Sequence, residues 1–277
     1  MQVVTTDVIQ GPLTIAPIGD LQFASGTASV DHFKRHLDFV MKQPNPVLIG
    51  MGDFVDVASP SNRAKIKSAG FYDSVHEALV DSAERQLETV LKLLKGTENH
   101  WAGLLEGHHF YEFDDGTTTD TRFAERLGCP FLGTSAFVRV HVGREGTNSH
   151  LTCTCFVHHG AGSGVRASAP LNKLESLMSG FDADIYMIGH MSKKATAPVD
   201  QLYASRTGNL SHRSKYLVGT GGFSQGYHEG SVSAAGNARG SYVEQGLMKP
   251  VTLGAPILTV KIQRTNSKDK LDIHASV

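Results

Sequence analysis

The sequence predicts an α/β fold, and three observations carry that expectation. Short apolar runs repeatedly end on an acidic or histidine side chain beside glycine, which is how open α/β sheets build sites outside the carboxyl ends of their strands. In the first half these runs alternate with stretches whose apolar residues recur at helical spacing, and the tail is mostly strand-like.

Leu13 to Ile18 reads as a short apolar strand that ends at Asp20. From Ser29 to Lys42, Phe33, Leu37, Val40 and Met41 recur at helical spacing, and Pro44 and Pro46 close that helix. Pro46 to Met51 is the next buried strand and delivers Asp53 and Asp56, which makes a β-α-β unit with a right-handed crossover. The basic stretch Asn62 to Gly70, with Arg63, Lys65 and Lys67, reads as a solvated face, with a substrate-facing loop or helix as the alternative. A longer helix spans about Ser74 to Lys95: Ser74 and Glu77 match a capping box, Leu79, Ala83, Leu87, Val90, Leu91 and Leu94 form one stripe, and Gly96 ends it. Trp101 to Leu105 then leads as a strand to His108 and His109.

Beyond Phe110 an acidic, turn-rich loop, Tyr111 to Gly116, precedes a short helix over Thr121 to Leu127. Phe131 to Val142 and Leu151 to Val157 read as neighbouring strands joined by the polar turn Gly143 to Ser149. Gly160 to Gly164 is glycine-rich but lacks the G-K-[ST] of a Walker loop; its small side chains suit close approach of a phosphate or bulky substrate. A helix over Ala169 to Ser179 and a strand over Asp184 to Ile188 follow, and in the tail Ile257 to Ile262 and Leu271 to Ile273 are the clearest strands. Gly219 to Gly246, rich in Gly, Ser and Ala, is expected to form a mobile rim over the site. No internal repeat or linker divides residues 1–277, so one domain is expected, with 194–277 its mostly β part.

Five segments carry the chemistry: Gly19-Asp20-Leu21-Gln22, Gly52-Asp53-Phe54-Val55-Asp56, Gly107-His108-His109, His158-His159-Gly160 and Gly189-His190-Met191-Ser192. Singly, each is an ordinary turn, since Asp hydrogen-bonds its own backbone and tolerates unusual dihedrals. Five in this order form a metal-centre signature. The order resembles that of the calcineurin-like metallophosphoesterases, D-x-H, G-D-x-x-D, G-N-H-[DE], H and G-H-x-H, over about residues 13 to 192. It is strict in the Gly52 to Asp56 block and altered in three others. The tail, with Ser241 to Glu244 and Lys249-Pro250, also resembles phosphoesterases of bacteriophages.

The resemblance implies a two-sheet β-sandwich flanked by helices, with two divalent metals joined by the carboxylate of Asp53. By position, one metal site would use Asp20, Gln22, Asp53 and Ser192. The other would use Asp53, His108, His190 and one of His158 and His159. His109 falls on the histidine that assists the leaving group, and Asp56 on the acid that orients it. Both family histidines of the first site are replaced here, by Gln22 and Ser192, whereas the second gains an imidazole at His108. Imidazole suits transition metals, and oxygen ligands suit hard cations. One tight divalent transition-metal site (Mn, Zn, Fe or Ni) is therefore expected, with a second, weak one beside it.

The implied activity is hydrolysis of a phosphate mono- or diester by metal-bound hydroxide, with nucleotides and nucleic acid among the candidate substrates. Arg63, Arg166, Lys193, Lys194 and Arg213 are candidates for holding phosphoryl oxygens. The competing class is a metal-binding scaffold that keeps the fold for protein interaction and has lost the chemistry; Gln22 and Ser192 favour it, and the retained Asp20, Asp53, Asp56, His109 and His190 oppose it.

Composition is that of an ordinary globule, with 40% hydrophobic and 19% charged residues. A net charge of −1 gives no global field for nucleic acid, which leaves room for a nucleotide or a nucleic-acid end bound at metals. Cys129, Cys153 and Cys155 make no disulfide framework; Cys153 and Cys155, two apart in a strand, would share one face as small buried thiols. With no basic and apolar leader at Met1 to Asp7 and no apolar run of membrane-spanning length, a cytoplasmic location and no membrane partner are expected.

Overall fold

The computed structural model describes residues 1–162, 164–205, 208–233, 235–264 and 269–277, and of Lys67 the backbone only. Ser163 of the glycine-rich loop, Ala234 of the expected rim and the Lys67 side chain lie outside the described residues.

Two mixed six-stranded sheets pack face to face with helices outside, the α/β sandwich that the resemblance implies. The strands are β1 (Gln2–Gln10), β2 (Leu13–Ile18), β3 (Pro46–Gly50), β4 (Trp101–Leu105), β5 (Phe131–Gly133) and β6 (Ser135–Gly143). They continue as β7 (His150–His158), β8 (Ile185–Ile188), β9 (Lys194–Ala204), β10 (Leu210–Thr220), β11 (Ile257–Arg264) and β12 (Asp269–Ser276). One sheet runs β12-β11-β2-β3-β4-β5 and the other β1-β6-β7-β8-β10-β9. The helices are α1 (Val30–Met41), α2 (Pro60–Ser68), α3 (Asp73–Leu93), α4 (Thr119–Arg126), α5 (Ala169–Leu177) and the short α6 (Tyr242–Gln245). Among the described residues no helix is long and apolar enough to cross a membrane.

Side-chain alternation along each strand sorts the core into layers. Leu13 and Ile15 of β2, Val47 and Ile49 of β3, Val138 and Val140 of β6 and Cys153 and Cys155 of β7 fill the space between the sheets. Both cysteines are free and fully buried there. Ala16, Ile18, Leu48 and Leu104 point the other way, onto Phe33, Leu37, Leu87, Val90 and Phe123 of α1, α3 and α4. On the opposite flank Phe156 and Tyr186 pack under Leu174 of α5. Buried on both faces, β2, β3 and β4 are parallel, as are β7 and β8, and their carboxyl ends open on one edge of the sandwich.

Several expectations are corrected. β1 was not foreseen: it joins the edge of its sheet parallel to β6, and its alternation is hidden because most of its residues are exposed. The run from Phe131 to Val142 is not one strand. Gly133, in left-handed backbone at φ 69°, ends β5 in one sheet, and the chain crosses to begin β6 in the other. Ser74 and Glu77 make no capping box, because α3 starts at Asp73 and Ser74 lies inside its first turn. The capping box that does form is Thr118 with Thr121, at the start of α4. The basic stretch is the helix α2, capped by Ser59. The first residues of the expected rim are core: Gly219 and Thr220 end β10, and Phe223 is fully buried against Phe33 in an edge-to-face contact.

That contact ties α1 to the segment after β10. Phe33→Ala should cost about 3–5 kcal/mol, the usual range for emptying a buried aromatic site. Phe39→Ala on the same helix, where the ring is 52% exposed, should stay within about 0.5 kcal/mol of wild type in denaturant titrations.

Candidate metal centre

The carboxyl ends of β2, β3, β4, β7 and β8 carry Asp20, Asp53, His108, His159 and His190 to that open edge. Ligand nitrogens of His108, His159 and His190 all lie within 4.8 Å of one another. His108 Nδ1 and His190 Nδ1 are 3.2 Å apart, close to the roughly 3.3 Å that separates two nitrogens held at about 2.0–2.1 Å by one tetrahedral zinc. His159 is 1% exposed, and its Nδ1–H donates to the Met51 carbonyl at 2.6 Å. A carbonyl only accepts, so the bond fixes the tautomer and presents Nε2 to the site, as in metal-binding histidines generally. Nε2 lies 3.4 Å from Asp53 Oδ2.

Asp53 is the hub. Its Oδ1 accepts from the backbone N–H of His108 and from that of His109 at 2.9 Å. Gly107 is required for this approach: a Cβ there would stand 2.2 Å from both the amide nitrogen and Oδ1 of Asp53. Asp20 Oδ2 accepts from His190 N–H at 3.2 Å. The remaining oxygens, Asp53 Oδ2 and Asp20 Oδ1, are buried without a hydrogen-bond partner, as is His159 Nε2. Buried polar atoms are almost always satisfied, and Asp53 Oδ2 and His159 Nε2, which have only each other at 3.4 Å, make a place for a cation beside the other two imidazoles. A divalent metal fits the three imidazoles, with the Asp53 carboxylate beside them.

The electrostatics agree. Burial, with the nearby Asp53 charge, pushes the Asp20 carboxyl up to about 7. Burial also opposes ionisation of Asp53, but His159 and His109 outweigh it and hold that carboxyl well below the usual carboxylate range. Burial likewise works against a charged His159, yet Asp53 and Asp20 raise it to about 9. Asp53 and Asp20 thus favour a positive charge at this point. Burial and neighbouring histidines lower His108 to about 4, and His190 is lowered too, so both present neutral nitrogens at neutral pH.

Beside this cluster, His109 Nδ1 donates to Asp56 Oδ1 at 2.6 Å, a bond that raises the imidazole's pKa. His158, the alternative to His159, is not in the cluster. It is the last residue of β7, and strand alternation turns it to the α5 side, where its Nδ1 accepts from Gly160 N–H at 2.7 Å. Gln22 donates its backbone N–H to the Asp53 carbonyl, and Ser192 packs beside Gly222. Asp20, Gln22, Asp53, His190 and Ser192 all adopt positive φ, between 48° and 64°. Such backbone costs of order 1–3 kcal/mol per non-glycine residue and gathers at functional sites.

Of the candidate phosphate-holding cations, Arg63 and Arg213 are committed elsewhere. Arg63 Nη1 donates to the carbonyls of Ala58, His108 and Phe110, with the guanidinium 3.7 Å over the Phe110 ring. Arg213 pairs with Asp182 and Asp184. Two residues escaped the sequence reading. Asp120, 1% exposed in the first turn of α4, accepts the Gly107 N–H at 2.7 Å and so sets the segment that carries His108. Lys173 of α5 donates to the Ala161 carbonyl and holds the glycine-rich loop. Only the Thr118 cap, three residues before Thr121, marked Asp120 as helical rather than loop.

Gly107→Ala should drive Asp53 out of place. Metal retained after dialysis, read by elemental analysis, should fall at least tenfold with the circular dichroism spectrum native. Gly26→Ala, where a Cβ meets nothing within 4 Å, should keep the wild-type content.

No family model matches the sequence, and no curated protein does. Among solved structures, the chain is similar to vacuolar protein sorting 29 from Cryptosporidium parvum, at 12% identity and a TM-score of 0.34 over 96% of this chain and 98% of that one. A likeness of that size bears on outline and says nothing of chemistry.

Proposed function

We propose that this chain is a metal-dependent phosphoesterase. The observation that carries the reading is the cluster of His108, His159 and His190 nitrogens within 4.8 Å of one another, with the buried Asp53 Oδ2 3.4 Å from His159 Nε2 and a separate His109–Asp56 pair alongside. His108, His159, His190 and Asp53 hold one transition metal tightly. Asp20, with Gln22 and Ser192, offers a second, weaker place through oxygen donors. When bound, a divalent metal lowers the pKa of a water and withdraws charge from phosphoryl oxygens. The chain supplies the rest. Asp56 takes the Nδ1 proton of His109 in a hydrogen bond and so leaves Nε2 as the nitrogen that titrates. The Asp56 bond raises the His109 pKa and so favours the protonated imidazole, which would give its proton to the departing ester oxygen. Asp53 holds the amides of His108 and His109, so metal site and proton donor keep a fixed separation.

The scaffold reading rests on Gln22 and Ser192, which replace histidines of the resembled motif. Against it stand the retained Asp20, Asp53, Asp56, His109 and His190, with His109 and Asp56 hydrogen-bonded at 2.6 Å.

The test is a panel of p-nitrophenyl phosphate, its bis ester, cyclic nucleotides and single-stranded DNA, each with Mn, Zn, Ni and Mg. Asp53→Asn should abolish metal-dependent hydrolysis with the fold intact; near wild-type turnover would remove the enzyme reading. His109→Ala should keep the metal and slow hydrolysis by about 10²–10⁴-fold, less for p-nitrophenyl esters, whose leaving group scarcely needs a proton.

Elemental analysis after extensive dialysis should find about one transition-metal equivalent per chain. Gln22→His with Ser192→His should move it towards two, because imidazole replaces an amide and a hydroxyl. Two equivalents retained by wild type would sink the one-tight-metal proposal and leave the hydrolase standing.

A further inference from the structure

Next to the metal centre, a cavity of about 460 Å³ opens between α2, the start of α3 and residues 111–116. Its floor is aromatic: Tyr111 and Phe113 are almost wholly buried and meet edge to face at 5.1 Å. Arg63 lines it and also donates to the backbone carbonyls of His108 and Phe110, so one side chain ties the cavity to the segment that carries His108 and His109. On the rim stand Phe71, 47% exposed, with Asp73, Glu112 and the His76–Asp114 pair, whose Nε2 and Oδ2 are 2.9 Å apart.

The charges select among ligands. Three carboxylates oppose an anion inside the cavity, including a phosphodiester backbone running through it. A simple cation is opposed by Arg63, which three carbonyls and the Phe110 ring hold in place. What suits the lining is a neutral planar group with donors and acceptors on its edge, offered Phe71 as a flat surface and rim carboxylates and histidine as edge partners. The volume is within the range of small-molecule sites. Bases are read elsewhere by the same means, stacking on aromatic rings or guanidinium planes with hydrogen bonds to their edges.

We infer that this cavity is a subsite for the nucleobase of a single nucleoside phosphate whose phosphoryl group lies at the metal centre. The inference rests on the phosphoesterase reading and adds to it the class of ester. Arg63 links the cavity that would take the base to the segment His108 to Phe110, whose histidines belong to the site that would take the phosphoryl group.

The experiment is binding of adenosine, guanosine, cytidine and uridine, their 5′-monophosphates and ribose 5-phosphate to the intact chain, by saturation-transfer NMR and calorimetry. At least one nucleoside should bind without any phosphate, and its monophosphate should bind at least tenfold tighter than ribose 5-phosphate. Phe71→Ala, which removes an exposed ring and leaves the fold, should weaken nucleoside binding about tenfold or more, as expected for a lost base–aromatic stack. Asp114→Asn, which exchanges an acceptor for a donor at constant shape, should change which base is preferred. Nucleoside binding indifferent to Phe71→Ala, or no nucleoside binding at all, overturns the subsite. So does affinity that climbs with oligonucleotide length, which belongs to a strand. These readouts need no turnover: p-nitrophenyl phosphate hydrolysed without nucleoside binding sinks the subsite alone, and nucleosides bound with no ester hydrolysed under any metal sinks the hydrolase alone.

Discussion

A single carboxylate sets the terms for the rest of this site. Asp53 leaves β3 in left-handed backbone, is 2% exposed, and keeps its charge only because neighbours compensate it. Two amide protons on one oxygen and an imidazolium opposite the other are that compensation. A buried charge without such partners costs several kcal/mol even after relaxation. The surrounding residues therefore have little freedom. Gly107 cannot carry a side chain, the segment after β4 must turn its amides inward, and His159 must present Nε2. A bound divalent cation would supply that compensating positive charge in place of the imidazolium, with His159 Nε2 among the nitrogens that could hold it.

Legibility in the sequence followed contrast in hydrophobicity. β2, β3 and β4 are apolar runs ended by Gly and Asp or His, so both the strands and the residues they deliver could be read. β1 and the hairpin β9–β10 could not, because edge and outer strands mix Thr, Gln, Asp and Ser with their apolar residues and show no clean burial alternation. The break at Gly133 was invisible for a different reason. Local β propensity continues through it, and only packing of the two sheets decides that one run of residues serves both.

At the site the residue types were legible and their directions were not. Adjacent histidines at a strand end differ by one step of the pleat, which places His159 among the acids and His158 under α5. Arg63 looked like a phosphate ligand because it is a cation near the G-D-x-x-D block; its actual partners are backbone carbonyls, which leave no mark in a sequence. Asp120 was hidden for the same reason, since its partner is the amide of a glycine. Side chains that serve backbone groups are the part of a site that pattern reading misses.

β1 also bears on how the chain comes off the ribosome. Its residue 2 pairs with residue 136 and its residue 10 with residue 143. β1 therefore has no neighbour until β6 has been made, and the antiparallel β6–β7 pair offers the edge on which it docks. Parallel pairing across such a separation closes a long loop before any contact rewards it, so it belongs late in folding. Until then a Val- and Thr-rich segment stays unpaired in the nascent chain. Asp7 near its middle, the one charged residue of the strand, is then its main guard against pairing with another copy.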